Sequence, residues 1–138
     1  MGIGNPLKGD DGLGPFIINE LKDLENENLL LIDASTAPEN FTGKIIKEKP
    51  SHLIIIDATL MDEAPGCIKT FEKEDFGEVG VSTHSMSVSF LIRYLENFDV
   101  SNILFIGIEP ESMDFSLELS KDVKNNSLEL INIMRSFF

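Results

Sequence analysis

Leu53-Ile54-Ile55-Ile56-Asp57 is the stretch that carries the fold. An unbroken apolar run has no face to offer water, so it fits a strand buried on both sides, as in a parallel sheet covered by helices. Two runs of the same kind flank it along the chain, Leu29-Leu30-Leu31-Ile32 and Ile103-Leu104-Phe105-Ile106-Gly107-Ile108. Cys67-Ile68-Lys69-Thr70-Phe71 alternates instead, which places a further strand at a sheet edge. Between the runs lie amphipathic stretches. Leu13, Ile17, Leu21 and Leu24 keep helical spacing, with Pro15 near the helix start where proline is tolerated. Residues 38–49 form a weaker helix candidate closed by Pro50, and Val88, Leu91, Ile92 and Leu95 form a clear i, i+3, i+4, i+7 stripe with Ser85 available as N-cap. A last helix is expected to start with Ser120 as its cap, turning Val123, Ile131 and Met134 inward, its start weakened by Asn125-Asn126. The expectation is an α/β three-layer sandwich: a twisted, mostly parallel sheet with helices on both faces.

Composition bounds the rest. At 138 residues the chain is read as a single domain over residues 1–138, without repeats or a low-complexity linker. With 42% hydrophobic and 25% charged residues it has the make-up of an ordinary globular protein. A formal net charge of -13 argues against nucleic acid and against an anionic membrane surface, both of which require a basic face. A basic peptide segment or a cation remains compatible with it. The lone Cys67 excludes an internal disulfide framework and is read as a buried small apolar residue in a reducing compartment. No apolar run approaches the roughly 20 residues that span a bilayer, and the N-terminus lacks a signal-peptide core. A cytoplasmic protein without membrane insertion is expected.

The start of the chain packs glycines, an Asn-Pro and two adjacent acids into one turn: Gly2-Ile3-Gly4-Asn5-Pro6-Leu7-Lys8-Gly9-Asp10-Asp11-Gly12-Leu13-Gly14-Pro15. Glycines let such a turn close tightly around something small, and paired carboxylates are poor filler because an unpaired buried acid is costly. It is not a dinucleotide fingerprint. The third glycine of G-x-G-x-x-G falls on Leu7, and Asp10 and Asp11 would repel a pyrophosphate at the helix N-terminus. The phosphate-cradling G-x-x-x-x-G-K-[ST] pattern is absent too. Only Met1-Gly2-Ile3 precedes the turn, so either the first strand is stunted or the natural start lies upstream.

Ligands of a doubly wound sheet bind outside the carboxyl ends of its strands. Three polar groups are placed to meet there: Asp11 after the first strand stub, Asp57 ending the central apolar run, and His84 in Ser82-Thr83-His84-Ser85-Met86 before the stripe helix. Each has a plainer reading. Either acid of the turn could serve the first helix as cap or dipole partner, Asp57 could cap its loop, and His84 could be a satisfied turn histidine. Asp33 reads as structural and His52 as a surface residue. Together, two carboxylates and an imidazole make a mixed O/N set suited to zinc, nickel or manganese. A histidine ahead of a helix N-terminus is held neutral by the dipole, and neutral imidazole is the form that ligates.

In order and spacing, the glycine-acid turn, Ile55-Ile56-Asp57-Ala58, Ser82-Thr83-His84-Ser85-Met86 and Gly107-Ile108-Glu109-Pro110 resemble the [NiFe]-hydrogenase maturation endopeptidases over nearly the whole chain. Ala37-Pro38-Glu39-Asn40 resembles the subgroup serving formate hydrogenlyase and related energy-converting hydrogenases. The resemblance implies a hydrolase that removes the C-terminal extension of the hydrogenase large-subunit precursor, its partner, once nickel has been inserted. It implies that Asp11, Asp57 and His84 contact the metal and serve catalysis. The metal it implies is nickel supplied by the substrate, although other divalent metals could take the site. The family usually has proline where this chain has Ser87, which removes rigidity but no ligand, and the clipped first strand supports the turn bearing Asp11.

The chain offers no nucleophile motif: G-x-S-x-G is absent, and Cys67 has no evident base beside it. Chemistry through a metal, or through Asp11 or Asp57 as general base, is therefore expected. The alternative is a non-proteolytic metal- or small-ligand-binding α/β module, which cleavage of a precursor would separate from an enzyme.

Overall fold

A computed structural model describes residues 1–72, 75 and 88–138. Its strands are β1 (Gly2–Ile3), β2 (Asp33–Ser35), β3 (Leu53–Ala58), β4 (Ile68–Phe71) and β5 (Ile103–Ile108). They form one sheet in the order β2-β1-β3-β5-β4, parallel throughout except for β4, which runs antiparallel along β5. The helices are α1 (Leu13–Glu20), α2 (Thr42–Glu48), α3 (Val88–Glu96) and α4 (Lys121–Phe137).

Alternation along the central strands divides the core in two. Ile55 and Phe105 point into a cluster with Ile45 of α2 and Val88, Leu91, Ile92 and Leu95 of α3. Ile56 and Ile106, one residue on, join Leu13 and Ile17 of α1 and Val123, Leu130 and Ile131 of α4. Helices therefore cover both faces, and each buried aliphatic side chain contributes about 1.5–3 kcal/mol by leaving water. The three-layer α/β expectation is met, and β5 and the edge strand β4 fall where their sequence patterns put them. Lys49, at φ 47°, ends α2 in a left-handed cap just before Pro50, although the first part of that segment, Pro38–Phe41, is a tighter 3₁₀ turn.

The Leu29 run departs from expectation. The strand there is Asp33–Ser35, three residues later, while Leu30 lies exposed and Leu29 and Leu31 are only half-buried. Pairing explains it. The neighbour β1 has two residues, so its register partners are Asp33 and Ser35 alone, with a bulge between, and Leu29 pairs back onto Asn26. A strand extends only about as far as its partner can satisfy its backbone. Asp33 is structural as expected, its Oδ1 accepting from the Ser35 N–H and hydroxyl at 2.9 Å each.

β1 is short but central. Its Gly2 N–H donates to Ile32 O (2.9 Å), Gly4 N–H donates to Ser35 O (2.8 Å), and Ile56 N–H donates to Met1 O (2.9 Å). The stub is thus pinned on both sides and delivers the turn to the carboxyl edge of the sheet. Cys67 is half-buried rather than fully buried, next to β4 at that same edge. Among the described residues, no helix is long and apolar enough to cross a membrane.

Candidate active site

The turn from Gly4 to Gly12 ends in a 3₁₀ segment, Gly9–Gly12, that runs directly into α1. Its glycines serve a close approach of the chain to itself rather than room for a ligand. Gly4 sits at φ +135°, and a Cβ there would lie 1.7 Å from the carbonyl oxygen of Asp11. A Cβ on Gly14 would lie 2.2 Å from Ile3 O and 2.8 Å from Ile56 O, so the first turn of α1 presses backbone to backbone on β1 and β3.

The two adjacent acids face different ways, and neither caps α1, whose N-cap is Gly12 without a side-chain hydrogen bond. Asp11, 4% exposed, accepts the Asn5 N–H on Oδ2 at 2.9 Å. The Asn5 side chain in turn accepts the Leu7 N–H at 2.9 Å, so the Asn-Pro segment holds its shape through its own amide. Asp10 is fully buried and saturated. Its carboxylate accepts from Glu111 N–H (2.9 Å), Ser112 N–H (3.0 Å), Ser120 N–H (2.6 Å) and the Ser120 hydroxyl (2.8 Å). The reading of Asp10 as a helix cap gives way to that of a clasp on the segment after β5.

Asp57, near the end of β3 opposite Gly107, is 3% exposed. Burial pushes its carboxyl well above the ordinary aspartate range, the Asp11 charge pushes it further, and the Ala58 backbone amide opposes the shift. The structure therefore brings Asp11 and Asp57 within electrostatic reach of each other in a dry environment. Two acids in one site, one of them made reluctant to ionise, give a set that can hold a cation or exchange a proton.

His84, Ser85 and the rest of that segment lie outside the described residues. Among the described residues no group of three or more His, Cys, Asp and Glu is placed to hold a metal, so the carboxylate pair is what can be described of the predicted trio. His52 is exposed, its ring nitrogen 3.1 Å from the Ser51 hydroxyl, in keeping with a surface role.

Sequence reasoning gave no role to Glu109. It is 6% exposed, and its Oε2 accepts the Met61 N–H at 2.5 Å. Its backbone also takes part: Glu109 N–H donates to Cys67 O (2.9 Å) and Gly66 N–H donates to Glu109 O (2.8 Å). The loop leaving Asp57 is thereby wrapped around the end of β5. Thr59 closes the same corner, its N–H donating to Ile108 O at 2.9 Å and its hydroxyl to Asp57 O at 3.3 Å. Gly107 leaves the room, since a Cβ there would lie 2.9 Å from the Thr59 hydroxyl oxygen. The signal available in sequence was an acid directly after an apolar strand, the same feature that marked Asp57.

A hydrogenase maturation protease sequence profile matches residues 15–136. The chain belongs to the hydrogenase maturation protease family. The matched stretch takes in Asp57 and the His84 segment and begins just past Asp11. A Methanocaldococcus jannaschii protein carrying the same family name is 37% identical over 142 residues, covering 97% of this chain and 83% of that one. The hydrogenase 3 maturation protease of Escherichia coli K12 is 33% identical over 124 residues, covering 89% and 79%. In three dimensions the chain is similar to the crystal structure of a [NiFe] hydrogenase maturation protease from Thermococcus kodakarensis, with a TM-score of 0.88 at 27% identity over 98% of this chain and 87% of that one. The hydrogenase maturation proteases are peptidases, and this chain has their fold over nearly its full length.

Proposed function

We propose that this hydrogenase maturation protease removes the C-terminal extension of a [NiFe]-hydrogenase large-subunit precursor after nickel insertion, reading the substrate's nickel through Asp11, Asp57 and His84. The observation that supports it is the buried Asp11–Asp57 pair at the carboxyl edge of the sheet, with Asp57 held above its usual range. No other pair of acids among the described residues combines such burial with a raised carboxyl. Nickel bound in the substrate supplies the cation that relieves this repulsion. Divalent cations of similar ligand preference would occupy the same donors.

In this reading one oxygen of each carboxylate meets the metal, and the imidazole of His84 adds the nitrogen ligand. The scissile bond beside the nickel is thereby seated against the pair. Water oxygen adds to the scissile carbonyl carbon, and its proton passes to a carboxylate. That proton then goes to the leaving nitrogen as the C–N bond breaks.

The test is a gel-mobility assay on a hydrogenase large-subunit precursor, nickel-loaded and nickel-free. Cleavage of the loaded form alone is expected, and His84→Ala is expected to abolish it. Equal cleavage of both forms would overturn nickel recognition. Undiminished cleavage by Asp57→Asn would overturn the site.

A further inference from the structure

The turn that carries Asp11 receives little support from β1, which ends at Ile3, eight residues before that acid. Its fastening comes from the other end of the chain. Gly9 N–H donates to Ser116 O (2.9 Å), Asp10 N–H donates to Ser112 O (3.0 Å) and Ser116 N–H donates to Leu7 O (3.1 Å). At the centre of this seam the Asp10 carboxylate takes the Glu111, Ser112 and Ser120 donors across more than a hundred residues of sequence.

Both Asp10 oxygens are engaged, Oδ1 by Ser120 N–H and Oδ2 by three further donors. That matches a carboxylate and nothing else of its size: an asparagine would turn its NH₂ toward at least one of these donors. Charge-assisted bonds on both oxygens fix the plane of the carboxylate and, through it, the backbone of the Gly9–Gly12 turn. Asp11 is the next residue in that turn, so the backbone from which its carboxylate reaches the Asn5 N–H is set by where Asp10 is held.

We infer that Asp10 is a positioning residue for the active site: by clasping the loop 111–120 it aims Asp11 at Asp57, and Ser120 is its principal partner. This rests on the protease reading of the Asp11–Asp57 pair. It assigns the segment between β5 and α4 a part in catalysis although that segment supplies no reacting group.

The test uses the full chain and a nickel-loaded large-subunit precursor that the unaltered protein cleaves. Asp10→Asn is expected to lower kcat by about 10²-fold with KM changed less than about twofold, because misplacement of a catalytic group acts on the reaction and not on docking. Amide hydrogen exchange should quicken at Glu111, Ser112 and Ser120 and across Gly9–Gly12, with α3 and β5 unchanged. Should Asp10→Asn not fold, Ser120→Ala removes one donor of the four. It is expected to lower kcat about threefold, with Ser120→Thr, which keeps the hydroxyl, restoring it. Faster exchange at these amides with undiminished kcat would overturn the proposal, as would a loss confined to KM or a failure of Ser120→Thr to rescue. If no precursor is cleaved by the unaltered protein, the protease reading falls. The exchange data then decide the clasp alone, and unchanged exchange at Gly9–Gly12 in Asp10→Asn overturns it.

Discussion

Asp10 and Asp11 share a peptide bond and the same side chain, yet they live in opposite circumstances. Asp10 is fully buried with four donors on its carboxylate, while Asp11 is buried with one backbone amide on Oδ2 and looks toward a second acid. The first arrangement offsets the cost of burying charge by meeting it with hydrogen bonds. The second leaves that cost standing, and Asp57 shows it in a carboxyl pushed up by burial and by the Asp11 charge. The two adjacent acids are distinguished here by their donors, not by burial.

The comparison breaks first where the glycines fail. Gly14→Ala puts a Cβ against the backbone of Ile3 and Ile56, which no side-chain rotation can relieve. A stability loss of roughly 4 kcal/mol in urea denaturation is expected. It would remove both acids from their places at once.

Asp57→Asn should separate chemistry from stability. Cleavage of a nickel-loaded precursor is expected to fall by at least about a hundredfold, since a proton-transfer group is typically worth that much. Stability should rise or hold at neutral pH. The sign follows from the direction of the shift. The folded pKa lies above the unfolded one, so ionising Asp57 costs stability as pH rises through its folded pKa and costs nothing below the ordinary aspartate value of about 4. The stability gap between Asp57→Asn and the unaltered chain should therefore widen with pH and close toward pH ~4 in thermal melts. A pH-independent gap would show that Asp57 is satisfied after all.

Asp10→Ala should do the reverse. It strands three backbone N–H groups and a hydroxyl without their acceptor, and a loss of roughly 3 kcal/mol is expected from chemical denaturation. The two aspartates are then told apart by sign: one substitution weakens the fold and the other does not. Glu109→Gln should fall between, since it keeps an oxygen for the Met61 N–H but loses its charge, with a loss of about 1 kcal/mol. The smallest effect belongs to His52→Ala, a change at an exposed ring. Stability should move by less than about 0.5 kcal/mol and cleavage not at all.

Much of this was legible in the chain itself. Unbroken apolar runs marked β3 and β5, alternation marked the β4 edge, and the Val88-Leu91-Ile92-Leu95 stripe became the buried face of α3. Asp11 and Asp57 could be placed on one edge of the sheet because strand ends and following turns share that edge. Two things were not legible. The Leu29 run reads as a strand, but strand pairing depends on the partner, and β1 is too short to recruit it. The parts of Asp10 and Glu109 depend on donors a hundred and about fifty residues away, and no local pattern announces such contacts.

The sequence by itself determined which residues are apolar, which turn is crowded with glycine, and hence the layered fold and the edge on which the acids gather. Those properties act through nearest neighbours and through period, both of which are written along the chain. The tertiary structure alone decided which acid is met by donors and which faces another charge. A carboxylate's state depends on the donors and charges around it in space, and for Asp10 those arrive from the loop before α4, whereas for Asp57 what arrives is Asp11.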